Sequence, residues 1–196
     1  MQVNYCVRCG SSVSEQMPAG DTRLRLVCDQ CGLVHYQNPK VVVGCIVQWE
    51  NQVLLCRRGI QPRHGYWTVP AGFMENGETT YQGAVRETWE EATARVKLIA
   101  PYLTVNLPHI NQVYLLFRAH LSDLNFAPGI ESLETRLFTE DQIPWGQLAF
   151  PTVTAALRRY FADCVSGDFS HRMADIVEQT GDPEGYRMDY FAESSA

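Results

Sequence analysis

The sequence has no apolar run approaching the roughly 18 residues that span a membrane, and its first thirty residues lack the apolar centre of a secretory signal. A membrane partner is therefore not expected, and a cytoplasmic location is. Basic charge is scarce: 16 lysines and arginines face 22 aspartates and glutamates, for a net charge of -6. That balance lacks the footprint of a general nucleic-acid binder, so a nucleic-acid partner is not expected either. Internal repeats and low-complexity tracts are missing as well, which excludes solenoids and biased linkers. What remains, at 45% hydrophobic and 19% charged among 196 residues, is a globular chain long enough for one catalytic domain and a small accessory module.

Seven cysteines are too few and too unevenly spaced for a secreted disulfide scaffold. Four of them form two pairs, Cys6-x-x-Cys9 and Cys28-x-x-Cys31, with eighteen residues between. Four thiolates suit tetrahedral zinc, and a site closed by four sulfurs has no open position for catalysis, so the ion would be structural. Gly10 and Gly32 follow the second cysteine of each pair, where a knuckle needs backbone amides free to turn toward sulfur. A redox use would want a βαβ pattern alongside, and none is visible. Residues 1–38 are otherwise too poor in aliphatic periodicity to build a core without such a staple. The spacing is close to that of a zinc ribbon. Cys45, Cys56 and Cys164 lie in apolar segments and are expected to be small buried hydrophobes.

From Val41 the character changes. Val41–Val47 is a strand-like run, Glu50-Asn51 occupies the turn, and Val53–Cys56 returns as a hairpin partner. Trp67-Thr68-Val69 reads as a strand broken at Pro70-Ala71-Gly72, and after the Asn76-Gly77 turn a helix is expected from about Glu78 to Ala92. Leu98–Leu107 and Gln112–Leu121 read as a second strand pair. Pro151 opens a closing helix whose inner face carries Val153, Ala156, Leu157, Tyr160 and Phe161. Residues 166–196 form a tail with no assignment.

The chemistry concentrates on the first helix. Glu87, Glu90 and Glu91 fall within an arc of about 100° at helical periodicity, and three like charges on one face oppose folding. Bound cations would remove the conflict, and hard divalent ions commonly bridge carboxylates to phosphates. Arg86, one turn before Glu90, is placed to pair with it. The wider spacing runs Gly72, five residues, Glu78, seven residues, Arg86-Glu87, two residues, Glu90-Glu91. On these residues the chain resembles the Nudix hydrolase family. Two positions depart from the family pattern: Thr88 stands for an aliphatic residue and Thr93 for a glycine.

The resemblance implies an α/β fold, an α/β/α sandwich with a mixed sheet over residues 39–165, preceded by the zinc ribbon at 1–38. It implies magnesium (or manganese) held by Glu87, Glu90, Glu91 and the Ala71 carbonyl, with Gly72, Glu78 and Arg86 as the scaffold of the box. A later glutamate supplies a further ligand or the base; Glu134 resembles that position, and Glu131 is an equal candidate by composition. Arg57, Tyr66 and Phe73 are candidate substrate contacts, and Arg58, next to Arg57 at the end of the second hairpin strand, could also meet a phosphate. A ribbon ahead of such a domain resembles pyrophosphatases of ADP-ribose and FAD, which release AMP. NADH ranks lower, because the Ser-Gln-Pro-Trp-Pro-Phe-Pro motif of NADH pyrophosphatases does not follow Glu91. A capped-RNA hydrolase and a non-catalytic nucleotide sensor are the rival readings. The family also implies a homodimer.

Overall fold

The computed structural model describes residues 3–178 and 185–191. The chain divides into two units, Met1–Pro39 and Lys40–Ala196. The first is a three-stranded antiparallel sheet of β1 (Val13–Gln16), β2 (Arg25–Cys28) and β3 (Val34–His35) in that order. Among its described residues the buried hydrophobic ones are Cys6, Val27 and Cys28. So small a core leaves the cysteine cluster as its main cross-link.

The second unit is a mixed sheet between two helices. Its elements are β4 (Lys40–Trp49), β5 (Gln52–Arg58), β6 (Trp67–Thr68), β7 (Ala71–Phe73), α1 (Thr80–Ala92), β8 (Val96–Leu107), β9 (Gln112–Leu121), β10 (Ser132–Phe138), α2 (Pro151–Ser166), β11 (Arg172–Glu178) and β12 (Tyr186–Tyr190). Strands run β10-β5-β4-β9-β8-β11-β12, with β6 attached to β5 and β7 to β4. Pairs β4–β9 and β11–β8 are parallel, and the others are antiparallel. The apolar runs in β4 and β5 follow from this layering. Successive side chains on a strand point to opposite faces, and both faces here are covered. Val43, Cys45, Val47, Leu54 and Cys56 join α1 residues Ala84 and Ala92 in one core. Ile46, Val53 and Leu55 join α2 residues Val153, Ala156, Leu157, Tyr160 and Phe161 in the other.

The expected hairpin of β4 and β5 is paired only at its tip, Gln48 with Val53 and Trp49 with Gln52. Beyond that the strands part and accept β7 and β6 at their inner edges. Gly44 permits the close approach, since a Cβ there would overlap the Ala71 side chain. The strand split thereby inserts Pro70-Ala71-Gly72 beneath the acidic helix.

Helix α1 begins two residues later than expected. Thr79 caps it, accepting from Gln82 N–H at 3.2 Å while the Gln82 side chain accepts from Thr79 N–H at 2.8 Å. Both departures from the box pattern find local partners. Thr88, fully buried, donates to the Ala84 carbonyl at 2.8 Å, which satisfies its hydroxyl. Thr93 takes the left-handed conformation that glycine adopts more easily (φ 45°), and its hydroxyl bridges both backbone groups of Ala127, at 2.9 and 3.1 Å.

Cys45 and Cys56 are buried as expected, but Cys164 is exposed. In the last turn of α2 the inward position belongs to Asp163, which has no exposed surface. Its carboxylate accepts from Tyr102 at 2.7 Å and Arg172 at 2.9 Å and pairs with Arg159. This links β8, α2 and β11. Residues beyond Ser166, unassigned in the sequence, thus supply two sheet strands, β11 parallel to β8 and β12 antiparallel to β11. Among the described residues no helix is long and apolar enough to cross a membrane. Asp163→Ala removes the Arg159 pairing and one of the two carboxylates that hold Arg172, and leaves the Tyr102 hydroxyl without its acceptor; breaking a buried pair from one side is costly. The expected loss is about 3 kcal/mol, read as a lower urea midpoint; an unchanged midpoint would remove the carboxylate from the account of stability.

Candidate active site and metal centres

The box residues meet at the start and end of α1. Arg86 donates through Nε and Nη2 to both oxygens of Glu78, at 3.0 and 2.8 Å. Its Nη1 reaches Glu87 at 2.8 Å and Glu90 at 2.9 Å, and Nη2 also reaches the Phe73 carbonyl at 3.1 Å. The Arg86 hydrogen bonds hold the Glu78 carboxyl at about 2. Glu87 and Glu91 are buried, and burial pushes the Glu91 carboxyl up to about 8 and raises that of Glu87. Three carboxylates, Glu78, Glu87 and Glu90, therefore share one guanidinium, Glu91 lies outside its reach, and the two buried acids, Glu87 and Glu91, are in need of positive charge. A Cβ at Gly72 would overlap the Glu87 carboxylate, so glycine there lets that carboxylate keep its position. Ala71 N–H donates to Glu91 at 3.3 Å, which brings the β7 backbone to the acids. The donor chemistry, clustered oxygens with excess negative charge, fits a hard divalent ion.

These residues line a cleft of about 1070 Å³. Ala71, Gly72, Arg86, Glu87, Glu90, Glu91 and Phe73 all border it. Arg57, Tyr66 and Glu134 do not. Neighbouring residues on a strand face opposite ways, and in β5 it is Arg58 that borders the cleft, while Arg57 donates to the Gly65 carbonyl at 3.0 Å and lies 3.9 Å from Glu134. Arg58 opposes the upward push on Glu91. Tyr66 instead sits beneath Arg63, 5.5 Å from its guanidinium. Of the two later glutamates, Glu131 borders the cleft, and its charge adds to the pressure on Glu87 and Glu91.

The loop before Glu131 is fixed by Gly129, whose N–H donates to the Glu91 carbonyl at 2.9 Å. A Cβ at Gly129 would overlap the Glu90 carbonyl. Sequence reasoning missed this contact, although an isolated glycine between the two acidic segments was visible. It also missed Ile176 and Tyr186 of the tail, which border the same cleft.

In the ribbon the four cysteine sulfurs lie within 4.8 Å of one another, a compact set of four metal-ligating side chains. Cys6 and Cys31 sulfurs are 3.7 Å apart, and those of Cys9 and Cys28 are 3.4 Å apart. A tetrahedron with zinc–sulfur bonds of about 2.3 Å has edges of about 3.8 Å, so the set fits zinc. Each pair is a knuckle: Gly10 N–H donates to the Cys6 carbonyl and Gly32 N–H to the Cys28 carbonyl, with both glycines at positive φ. Arg8 and Cys31 amides point at the Cys6 and Cys28 sulfurs.

Comparison with known proteins agrees with this arrangement. A family model described as NUDIX domain matches residues 38–163, and a zinc-ribbon model described as Nudix N-terminal matches residues 4–37. The chain belongs to the Nudix family. It is similar to a crystal structure of a NUDIX hydrolase from Nitrosomonas europaea, with 53% identity and a TM-score of 0.86 over 89% of this chain and 99% of that one. An ADP-ribose pyrophosphatase from Streptococcus suis, at 18% identity and a TM-score of 0.56 over 70% of this chain and 99% of the other, shares the fold. Among curated proteins, the NAD-capped RNA hydrolase NudC of Photobacterium profundum is 29% identical over 70% of this chain and 50% of its own length. That of Pseudomonas aeruginosa is 31% identical over 71% of this chain and 49% of its own. The chain spans about half the length of these relatives. Their names weigh against the expectation that nucleic acid has no part in the substrate.

The purified protein should contain about one zinc per chain by elemental analysis, and Cys6→Ser should lose it. Exposed Cys164 gives an internal control. If the four ribbon thiols of the native protein are alkylated as fast as Cys164, no metal holds them.

Proposed function

We propose that the cleft hydrolyses the diphosphate linkage of an adenine dinucleotide of the NAD type, free or at the end of an RNA, releasing AMP or its RNA-linked equivalent and a second phosphorylated product. The observation that carries this is the set of buried acids, Glu87 and Glu91, beside Glu90 and the Ala71 backbone in a cleft that also holds Arg58. A magnesium or manganese ion bound there supplies positive charge for the negative charge that develops on the diphosphate oxygens. Glu87, Glu90, Glu91 and the Ala71 carbonyl are its proposed ligands. Arg86 orients Glu87 and Glu90, and Glu78 holds Arg86 from its other side. Arg58 meets a substrate phosphate. Glu131, which borders the cleft close enough for its charge to act on Glu87 and Glu91, accepts the proton of the attacking water, and this placement favours it over Glu134. The preference for the NAD type rests on the relatives named above. ADP-ribose or FAD is the second reading, favoured by the lack of a Ser-Gln-Pro-Trp-Pro-Phe-Pro segment after Glu91.

Product analysis with magnesium on NADH, NAD-capped RNA, ADP-ribose, FAD and nucleoside triphosphates tests this directly. AMP release from NADH is the expected result. Release only from ADP-ribose or FAD selects the second reading, and silence across the panel with nucleotide still bound identifies a sensor. Glu91→Gln should lower turnover at least ~100-fold, or about 2.7 kcal/mol of transition-state stabilisation. Glu131→Gln should cost about 100-fold, and Glu134→Gln, at an exposed pair with Arg57, no more than about two-fold; the reverse order would return the base to Glu134.

A further inference from the structure

We propose that Tyr186 and His109 form a stacking subsite for a planar ring of the substrate, nicotinamide or purine, at the end of the cleft away from the acidic helix; the choice of ring rests on the diphosphate reading above. Tyr186 opens β12, beyond the residues 38–163 that the family model matches. His109 sits in the 3-10 turn Pro108–Ile110 that joins β8 to β9. Their rings are 5.7 Å apart and tilted by 32°. Among the described residues this is the one ring pair whose two members both border the cleft.

The position of the pair is fixed by side chains that do not border the cleft. Asn106 donates to Asp175 at 2.9 Å, and Thr104 and His171 share a hydrogen bond of 2.9 Å. Both contacts tie β11 and the segment before it to β8, and β11 carries β12 through five paired positions. Ile176, buried beneath, gives an apolar floor. Ile110 and Gln112 complete this end, with Tyr114 between it and the reach of the Arg58 charge, and among the described residues none of the side chains bordering the cleft at this end is an acid, a lysine or an arginine. The charged groups belong to the other end, where Arg58 and Arg63 follow from β5 and the carboxylates from α1. A cleft charged at one end and aromatic at the other matches a ligand with an anionic linkage and a flat ring. Both side chains border the cleft, His109 exposed and Tyr186 half-buried, and offset or edge contacts between rings are the favoured ones.

Binding without turnover is the test. The full-length protein is titrated by NMR with AMP, nicotinamide mononucleotide and ribose 5-phosphate. Tyr186→Ala should weaken one ring-bearing monophosphate about ten-fold and leave ribose 5-phosphate unchanged, with Tyr186→Phe close to wild type. The nucleotide that loses affinity names the ring: AMP the purine, nicotinamide mononucleotide the nicotinamide. His109 is an exposed turn residue, so His109→Ala should fold whatever Tyr186→Ala does, and should show a loss of about three-fold on the same nucleotide. With a turned-over substrate both variants raise KM and spare kcat. The subsite is overturned if wild type binds neither ring-bearing probe, if both variants bind them as wild type does, or if ribose 5-phosphate weakens equally. An inactive protein that still loses ring binding sinks the hydrolase and keeps the subsite; an active one whose KM ignores both residues does the reverse.

Discussion

One guanidinium organises the acidic end of the domain. Arg86 holds Glu78 with two hydrogen bonds, touches Glu87 and Glu90, and reaches the Phe73 carbonyl of β7. Helix α1, the turn before it and the strand beneath it are thereby registered by a single side chain whose charge cannot be titrated away. The arrangement also explains why the box tolerates so many acids. Glu78 satisfies the guanidinium from the side away from the cleft, and this leaves Glu87 and Glu90 held in position but only partly neutralised. The excess negative charge is then a property of the fold, kept in place by burial of Glu87 and Glu91 and by glycines at 72 and 129 that let strand and loop close on the helix. Such a site is strained electrostatically without a cation, which is the condition under which metal binding and folding favour one another.

Much of this was legible in the residues. The helix and its three carboxylates follow from a periodicity and a spacing that few other segments share, and the two knuckles follow from cysteine positions alone. The layered sheet follows from apolar runs in β4 and β5 that have no polar alternation. The failures have physical causes too. Arg57 and Arg58 are adjacent, and on a strand one residue of register decides which enters the cleft. Glu131 and Glu134 lie on either side of an irregularity in the pairing of β10 with β5, at Ser132/Glu134, so counting from a motif cannot place them. Asp163 looks like any helix acid, because the residues that make it a buried hub, Tyr102 and Arg172, are distant in sequence or follow the helix. The tail was unreadable for a similar reason: its strands are short, mixed in polarity, and stabilised by pairing with β8 rather than by their own pattern.

The ribbon and the hydrolase-like domain solve opposite problems with metal chemistry. In the ribbon, four thiols are placed to close around a zinc ion, whose coordination would take the place of a hydrophobic core. In the second unit a large core exists already, and oxygen ligands are presented at the rim of a cleft where water and a phosphate can share the ion. On the function proposed above, the same chain would use one site for cohesion and reserve the other for chemistry.

The extension beyond α2 also changes the outline of the sheet. Strand β8 is twelve residues long, and β11 pairs with its stretch Leu103–Asn106. Were the chain to stop after α2, that stretch would become an open, largely apolar border with free amide and carbonyl groups, the kind of edge along which chains adhere to one another. The final strands therefore act as a selvedge: they finish the fabric of the sheet and move its exposed margin to the short strand β12, where Arg187 and Asp189 bear charge. A hydrolase trimmed to the family-matched core would be expected to owe its poor behaviour in solution to that raw edge before any fault in its active site.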